Sequence, residues 1–445
     1  MKSFRSVITL FFSVFLLTRG VSVSGAFHPA GTNTPVQAGL EFRFRYDVTK
    51  GLPTATRTEE PHMDYARVRL RPWLQAGPDD LFVKLRLANE FRYYRRPESR
   101  DRKQRFPDVT FIDNLFLHRE NLLEDLDLTI GRQELAYGAE RILSDGTSGD
   151  GTRAAYFDTV RFVWHADAKR TLDAFALYQA RTDWLPTLGR THDNGKEPAD
   201  YDINGCNQNE GAIGLYWQDR ARKEFGYDLY SITKLEQRGQ KAKYRNEGRT
   251  AYTHILGFRL LPQFTETLSG EMELAGQAGS NRLLAGQGYA GLTYAPKAAC
   301  KPAFTGALWG LTGDSDGERG RHAWHAVFNR ETGLGESIAP MYTKYSYTNI
   351  LYPHLAATVQ PADHSALEAQ AGHLFAPIHE GEAGRSRGAF ALIRYRIKLG
   401  RLFKSDHLNG GSLAFQGEFF GKGNYFVSGD DNPAFFGRVE VSWQF

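Results

Sequence analysis

Basic side chains recur at every second residue along two neighbouring stretches of the chain. Arg67, Arg69 and Arg71 interleave with Ala66, Val68 and Leu70, while Lys84, Arg86 and Arg92 interleave with Val83, Leu85, Leu87, Phe91 and Tyr93. The same spacing returns at Arg43 and Arg45 among Leu40, Phe42, Phe44 and Tyr46, and at Arg161 between Val160 and Phe162. It appears again at Arg394, Arg396 and Lys398 among Ile393, Tyr395, Ile397 and Leu399. Guanidinium forks bind carboxylates bidentately, and rings of Arg and Lys favour the passage of anions. Glu41, Glu90 and Asp158 lie within the same stretches, where they would hold the arginines in place and partly neutralise them. A blander reading stays open, in which Arg and Glu simply lace a polar wall.

Other chemistry is poorly represented. The run Asp145-Gly146-Thr147-Ser148-Gly149-Asp150-Gly151 offers oxygen ligands but lacks the spacing of an EF-hand. The chain holds no Gly-x-Ser-x-Gly elbow, no His-Glu-x-x-His and no phosphate-binding loop. His354, His364 and His373 are too scattered to suggest a metal. No catalytic residue, cofactor or metal is therefore expected. The basic residues also do not suit nucleic acid, since they alternate with apolar ones instead of clustering on helices or loops.

A period of two is the signature of strands, whose successive side chains point to opposite faces. Arginines on one face and aliphatics on the other call for two different environments. A closed barrel in lipid, with an apolar outside and a polar lumen, supplies both. Strands are predicted near 36–48, 63–76, 80–94, 109–118, 126–136, 156–165, 170–182, 209–218 and 223–235. Nine more follow near 250–261, 265–277, 284–295, 301–312, 350–360, 365–376, 387–398, 409–421 and 434–445. The fold class is thus all-β, a single transmembrane antiparallel barrel of about 18 strands, an even number as such barrels require.

The connections support this order. Short ones, rich in Pro, Gly, Asp and Asn, fall at 77–79, 166–169, 219–222, 261–264 and 361–364, while long polar ones fall at 49–61, 95–108, 137–155, 183–208, 237–249 and 313–349. Short periplasmic turns and long extracellular loops sort in this way. Within 313–349, strands at 322–328 or 342–348 remain an alternative.

The 445 residues suffice for one large barrel, and 13% aromatics with 45 glycines suit interfacial girdles and turns. A net charge of +4 is modest, so the basic residues matter through placement. Lys2 and Arg5, an apolar run to Leu17 and the small residues Ser24-Gly25-Ala26 predict a secretory signal over 1–26, leaving 27–445 as the barrel. The expected location is the cell outer membrane, with outer-membrane lipid and the barrel assembly machinery as partners. Cys206 and Cys300 fall on opposite sides of the membrane in this topology, so no bridge between them is expected. The last strand ends on Trp443-Gln444-Phe445, which resembles the terminal assembly signal of outer-membrane barrels.

Several of these segments resemble the bacterial outer-membrane alginate export porin family. Leu70-Arg71-Pro72-Trp73 is similar to its second-strand motif, Gly131-Arg132-Gln133 to its Gly-Arg-Gln motif and Asp158-Thr159 to its Asp-Thr pair. Gly421-Lys422-Gly423-Asn424-Tyr425 resembles the end of its penultimate strand. The resemblance implies an 18-stranded barrel passing an anionic uronic-acid polymer through an electropositive pore, with periplasmic export components as partners. It implies pore-lining roles for Arg71 and Arg132, with Asp158 among the lumenal acids. The chain departs from the family where Glu134 follows Gln133 in place of arginine, and where Ile112-Asp113-Asn114 stands in a region expected to hold one. Leu128 and Ile130 share the parity of Arg132, so a bulge is needed to turn Arg132 inward. The alternative expectation is a general or nutrient-uptake porin without polysaccharide export.

Overall fold

A computed structural model describes residues 35–51, 63–95, 110–144, 156–180, 183–188, 209–237, 250–314, 322–328, 348–379, 384–426 and 433–445. The predicted signal, the 145–151 run and Cys206 lie outside these residues. Eighteen antiparallel strands form one sheet, each paired with its sequence neighbours. The sheet closes because β1 (Val36–Lys50) pairs both with β2 (Met63–Ala76) and with the last strand, β18 (Ala434–Gln444). Closure leaves no open edge, which a β-structure needs in order to sit in hydrocarbon, where unpaired backbone groups find no water.

All eighteen strands stand close to where the alternation predicts them. Those used below are β3 (Leu81–Tyr94), β4 (Thr110–Leu123), β5 (Leu126–Gln133), β6 (Phe157–Asp167) and β7 (Arg170–Gln179). Further round the barrel stand β8 (Glu210–Asp219), β9 (Phe225–Gln237), β10 (Thr250–Pro262), β11 (Leu268–Gly279) and β12 (Leu283–Tyr294). The wall continues through β13 (Ala303–Leu311), β14 (Ile350–Ala362), β15 (Ser365–Phe375), β16 (Ser386–Lys398) and β17 (Gly411–Lys422). The strands therefore end on two different rims. Turns such as the one after β2 lie on one rim, where Gly77 adopts φ +123° and a Cβ would meet the Leu81 carbonyl oxygen at 2.2 Å. The connections after β5, β7 and β13 leave the other rim. One exception is the three-residue link between β11 and β12, Ser280–Arg282, which is shorter than others on its rim.

The outer surface is apolar around the wall. Ile213, Leu215, Leu229, Leu256, Leu284 and Leu355 are all exposed, Leu256 and Leu355 at 71%. A protein surrounded by water does not present such a belt, and lipid is what covers it. No described helix is long and apolar enough to cross a membrane; the crossing is made by strands.

The inner face is not polar all round, as the alternation alone suggests. Residues 134–144, after β5, and 322–328, after β13, fold inward and meet in the lumen. Leu143 and Phe328 form a β-bridge, and the Ser144 amide donates to the Phe328 carbonyl at 3.1 Å. Tyr137 stacks between Phe175 and Tyr216, at 5.4 and 4.7 Å between ring centroids. Arg141 reaches Glu271 and Glu273 on β11, both at 2.7 Å. Residues 322–328 form no strand; the Lys234 ammonium donates to the Val327 carbonyl at 2.9 Å, and Gln277 exchanges two hydrogen bonds with the His325 backbone. Apolar residues on the β6 to β14 arc, such as Ile232, Ile255 and Trp309, are buried beneath these segments. The remaining arc is left to charge.

Candidate functional site

The charged arc runs over β1, β2 and β3. Its side chains share the concave face, because Glu41 on β1 reaches Arg86 on β3 at 3.3 Å across the intervening strand. Leu74 and Val83, of the opposite parity on β2 and β3, are exposed on the outside, so this shared face is the inner one. Strand register then fixes the order of residues from the short-turn rim upward. Lys84 lies opposite Gln75 and Arg86 opposite Trp73; next come Arg71 opposite Glu41, Arg69 opposite Arg43 and Arg67 opposite Arg45. Arg92 lies beside Arg67 on β3. Successive rungs on one face are two residues apart, roughly 7 Å along a strand.

The rungs differ in how their charge is met. In the middle, Glu90 is approached by Arg43 at 3.8 Å, Arg67 at 3.6 Å and Arg92 at 3.7 Å, and Arg69 stands directly opposite it. Four cations thus gather around Glu90, and Arg67 also lies 3.8 Å from Asp47. Arg45 is paired with Glu440 on β18, and Arg438 binds Asp47 through two bonds at 2.7 and 3.0 Å.

The rung nearer the short-turn rim is arranged differently. Arg71 and Arg86 are held together by Asp113, at 3.2 and 2.9 Å, and by Glu41, at 3.7 and 3.3 Å. Glu134 also contacts both, bonding the Arg86 fork and lying 3.9 Å from Arg71. Asp113 is aimed inward by a break in register: Arg86 pairs with Asn114 and Leu87 with Ile112, so Asp113 is an extra residue on β4. Glu134 stands just beyond the end of β5, where the chain turns inward. Burial alone would raise its carboxyl, but the Arg86 and Arg71 guanidiniums outweigh that and hold it below the ordinary carboxylate range.

Among the residues singled out from sequence, Arg43, Arg45, Arg67, Arg69, Arg71, Arg86 and Arg92 come together in this one patch, with Lys84 at its lower end over the Trp73 ring. Arg394 and Arg396 stand on β16, three strands from β1 through β17 and β18, and share Glu368 at 3.5 and 3.3 Å. Arg161 lies apart and is bound by Asp173 at 2.5 Å. Arg132 and Asp158 do meet, at 2.8 Å, but away from the β1–β3 patch. Gly131 adopts φ +127°, a conformation that interrupts the alternation just before Arg132. The Arg132 guanidinium stacks 3.7 Å over Tyr156 and also binds Asp183 at 2.7 Å. It thereby fastens residues 183–188, which pair through Leu188 with Thr110 at the start of β4.

The pore-lining residues singled out from sequence do not include Asp47, Arg438, Glu440, Arg141 or Lys234. The first three follow the same alternation and could have been added to the arc. Arg141 carries no local signal, since its partners lie 130 and 132 residues away. Among the described residues no cluster of His, Cys, Asp and Glu could hold a metal ion, and Cys300 is exposed.

No family model matches the chain, and no curated protein matches its sequence. Solved structures do share its fold. OccK11 (OpdR) of Pseudomonas aeruginosa is similar at a TM-score of 0.56 and 12% identity, over 92% of this chain and 96% of that one. OccK9 (OpdG) of the same organism is similar at 0.61 and 9%, over 92% and 98%. OccAB1 of Acinetobacter baumannii is similar at 0.60 and 8%, over 92% and 96%. These are outer-membrane porins, and the likeness is one of fold. The barrel and its apolar belt are those of an outer-membrane protein. The resemblance to alginate exporters gains no support from these comparisons.

Proposed function

We propose that the chain is an outer-membrane porin that admits small anionic solutes, carboxylates first among them. The observation that carries this reading is the gathering of Arg43, Arg67, Arg69 and Arg92 around the carboxylate of Glu90 on the concave wall. A second carboxylate from a solute would meet guanidinium forks whose own repulsion it relieves. Transport direction is set by gradients, since a positive wall favours neither direction.

Passage of a uronate polymer in the manner of an alginate exporter is the second reading. The alternating arginines and the short motifs around Arg71 and Arg132 favour it. Against it stand the two inward segments, which pack the β6 to β14 side of the lumen and narrow the space for a chain. Reversal potentials in planar bilayers test the main reading. Anion selectivity is expected, and it should fall when Arg69→Gln and Arg92→Gln are combined. Cation selectivity of the unaltered protein would sink it. Block of the current by uronate oligomers, with weak block by monomers, would favour the polymer.

A further inference from the structure

The balance of cations and carboxylates on the arginine ladder changes along its length. Around Glu90 four arginines gather on one carboxylate, whereas Arg71 and Arg86, two cations, face three carboxylates in Glu41, Asp113 and Glu134. That lower rung carries a net charge of −1 (2 − 3). An anion descending the wall from the arginines around Glu90 would meet a repulsive step before the short-turn rim.

The three carboxylates are not equivalent. Asp113 is 1% exposed and is built into the wall by the β4 bulge, so it is part of the scaffold. Glu41 projects from β1, within the rigid sheet. Glu134 is the most exposed, at 30%, and sits on the first residue beyond β5 instead of on a strand. From there the chain passes through Leu135 and Tyr137 to Arg141, whose anchorage on β11 holds the inward segment. Glu134 is therefore the one acid of this rung whose side chain reaches both arginines from water and from a connection.

We propose that Glu134 is a tethered carboxylate occupying the place at Arg71 and Arg86 that a transiting anion must take, and that permeation proceeds by exchange between the two. This rests on the anion-porin reading and adds to it the residue that sets selectivity at the lower rung. A solute carboxylate displaces Glu134 from the Arg86 fork, is held there by charge-assisted bonds, and is released when Glu134 returns. The tether keeps the site filled by an acid at all times. It thereby prevents the two buried guanidiniums from trapping a solute, a requirement for conduction through any strong binding site.

The test compares unaltered protein, Glu134→Gln and Glu134→Asp in planar bilayers, with chloride and then with glucuronate as the permeant anion. Heat-modifiable gel migration establishes that each variant forms the barrel. Removing one charge near the path should raise the anion-to-cation permeability ratio of Glu134→Gln at least about threefold. Glucuronate should also dwell longer in that variant, while Glu134→Asp keeps the ratio of the unaltered protein. If Glu134→Gln leaves the ratio unchanged while the unaltered channel is anion-selective, the exchange is overturned and the porin reading stands. An equal rise in conductance for both ion signs, reporting only a loosened inward segment, overturns it as well. If the unaltered channel prefers cations, the reading and the proposal fall together.

Discussion

Arg45 lies directly opposite Arg67 across the β1–β2 ladder, and Arg67 lies directly opposite Arg92 across the β2–β3 ladder. Like charges in directly opposed positions oppose sheet formation by roughly 0.2–1 kcal/mol per pair. Glu440, Asp47 and Glu90 offset part of this on the same face. A row of three arginines on consecutive strands is thus tolerated, not selected, by the fold. The proposed function gives it a reason.

Arg92→Gln tests that separation of fold from function. Arg92 stands at the water-exposed end of its row, 31% exposed, and contacts Glu90 at only 3.7 Å. The variant should unfold at the same denaturant concentration as the parent, or slightly higher, because one repulsive pair is gone. Its anion selectivity should be lower. A clear loss of stability would mean that the arginine row is part of the framework.

Acidification should separate Glu134 from ordinary carboxylates. Its folded-state pKa is depressed, so the link to Arg86 and Arg71 is complete above the usual glutamate value of about 4.3 and is lost only as pH falls through the lower folded value. The other charged groups that face Glu134 are Arg69 on the rung above, and Glu41 and Asp113 on its own. Selectivity measured at pH 5 should therefore equal that at pH 7. A rise toward the behaviour of Glu134→Gln should appear only below the ordinary carboxylate range. A change already complete at pH 5 would contradict this assignment.

Lys234 ties residues 322–328 to the wall. Its ammonium lies 2.8 Å from Glu210 and 2.9 Å from Glu236, and it also holds the Val327 carbonyl. Lys234→Met leaves two carboxylates without their cation in a buried place, which costs about 3–5 kcal/mol. The urea midpoint should drop accordingly, and single-channel current should become noisier as residues 322–328 lose their anchor. A Lys234→Met barrel with parental stability and quiet current would show that the other contacts of this segment suffice.

The lipid-facing assignment has its own check at Leu256, near the middle of β10 and 71% exposed. Arginine at an exposed site of a water-soluble protein is close to neutral. On the lipid face near the bilayer midplane it costs roughly 2–4 kcal/mol. Leu256→Arg should therefore destabilise the barrel in liposomes by that amount, measured by urea unfolding, whereas Gln75→Arg on the inner row should cost far less.

The strands were legible in the sequence because a barrel wall imposes a local rule. Each side chain must suit lipid or the interior, and period-two alternation such as Arg67 to Leu70 records that rule residue by residue. Short and long connections fixed the two rims for the same reason. The sequence by itself therefore determined the all-β class, the strand order and the arginines of β1 to β3. Tertiary structure alone decided which of them act together. Arg132 carries the same chemistry as Arg71, yet it is bound by Asp158 and Asp183 elsewhere in the wall. Asp113 enters the ladder through a bulge, and Glu134 through an inward turn whose hold on β11 comes from Arg141, 130 residues from its partner Glu271. Alternation specifies a face but carries no information about what reaches across the hollow. Those contacts form only when the sheet closes and its curvature brings distant connections onto the same rung.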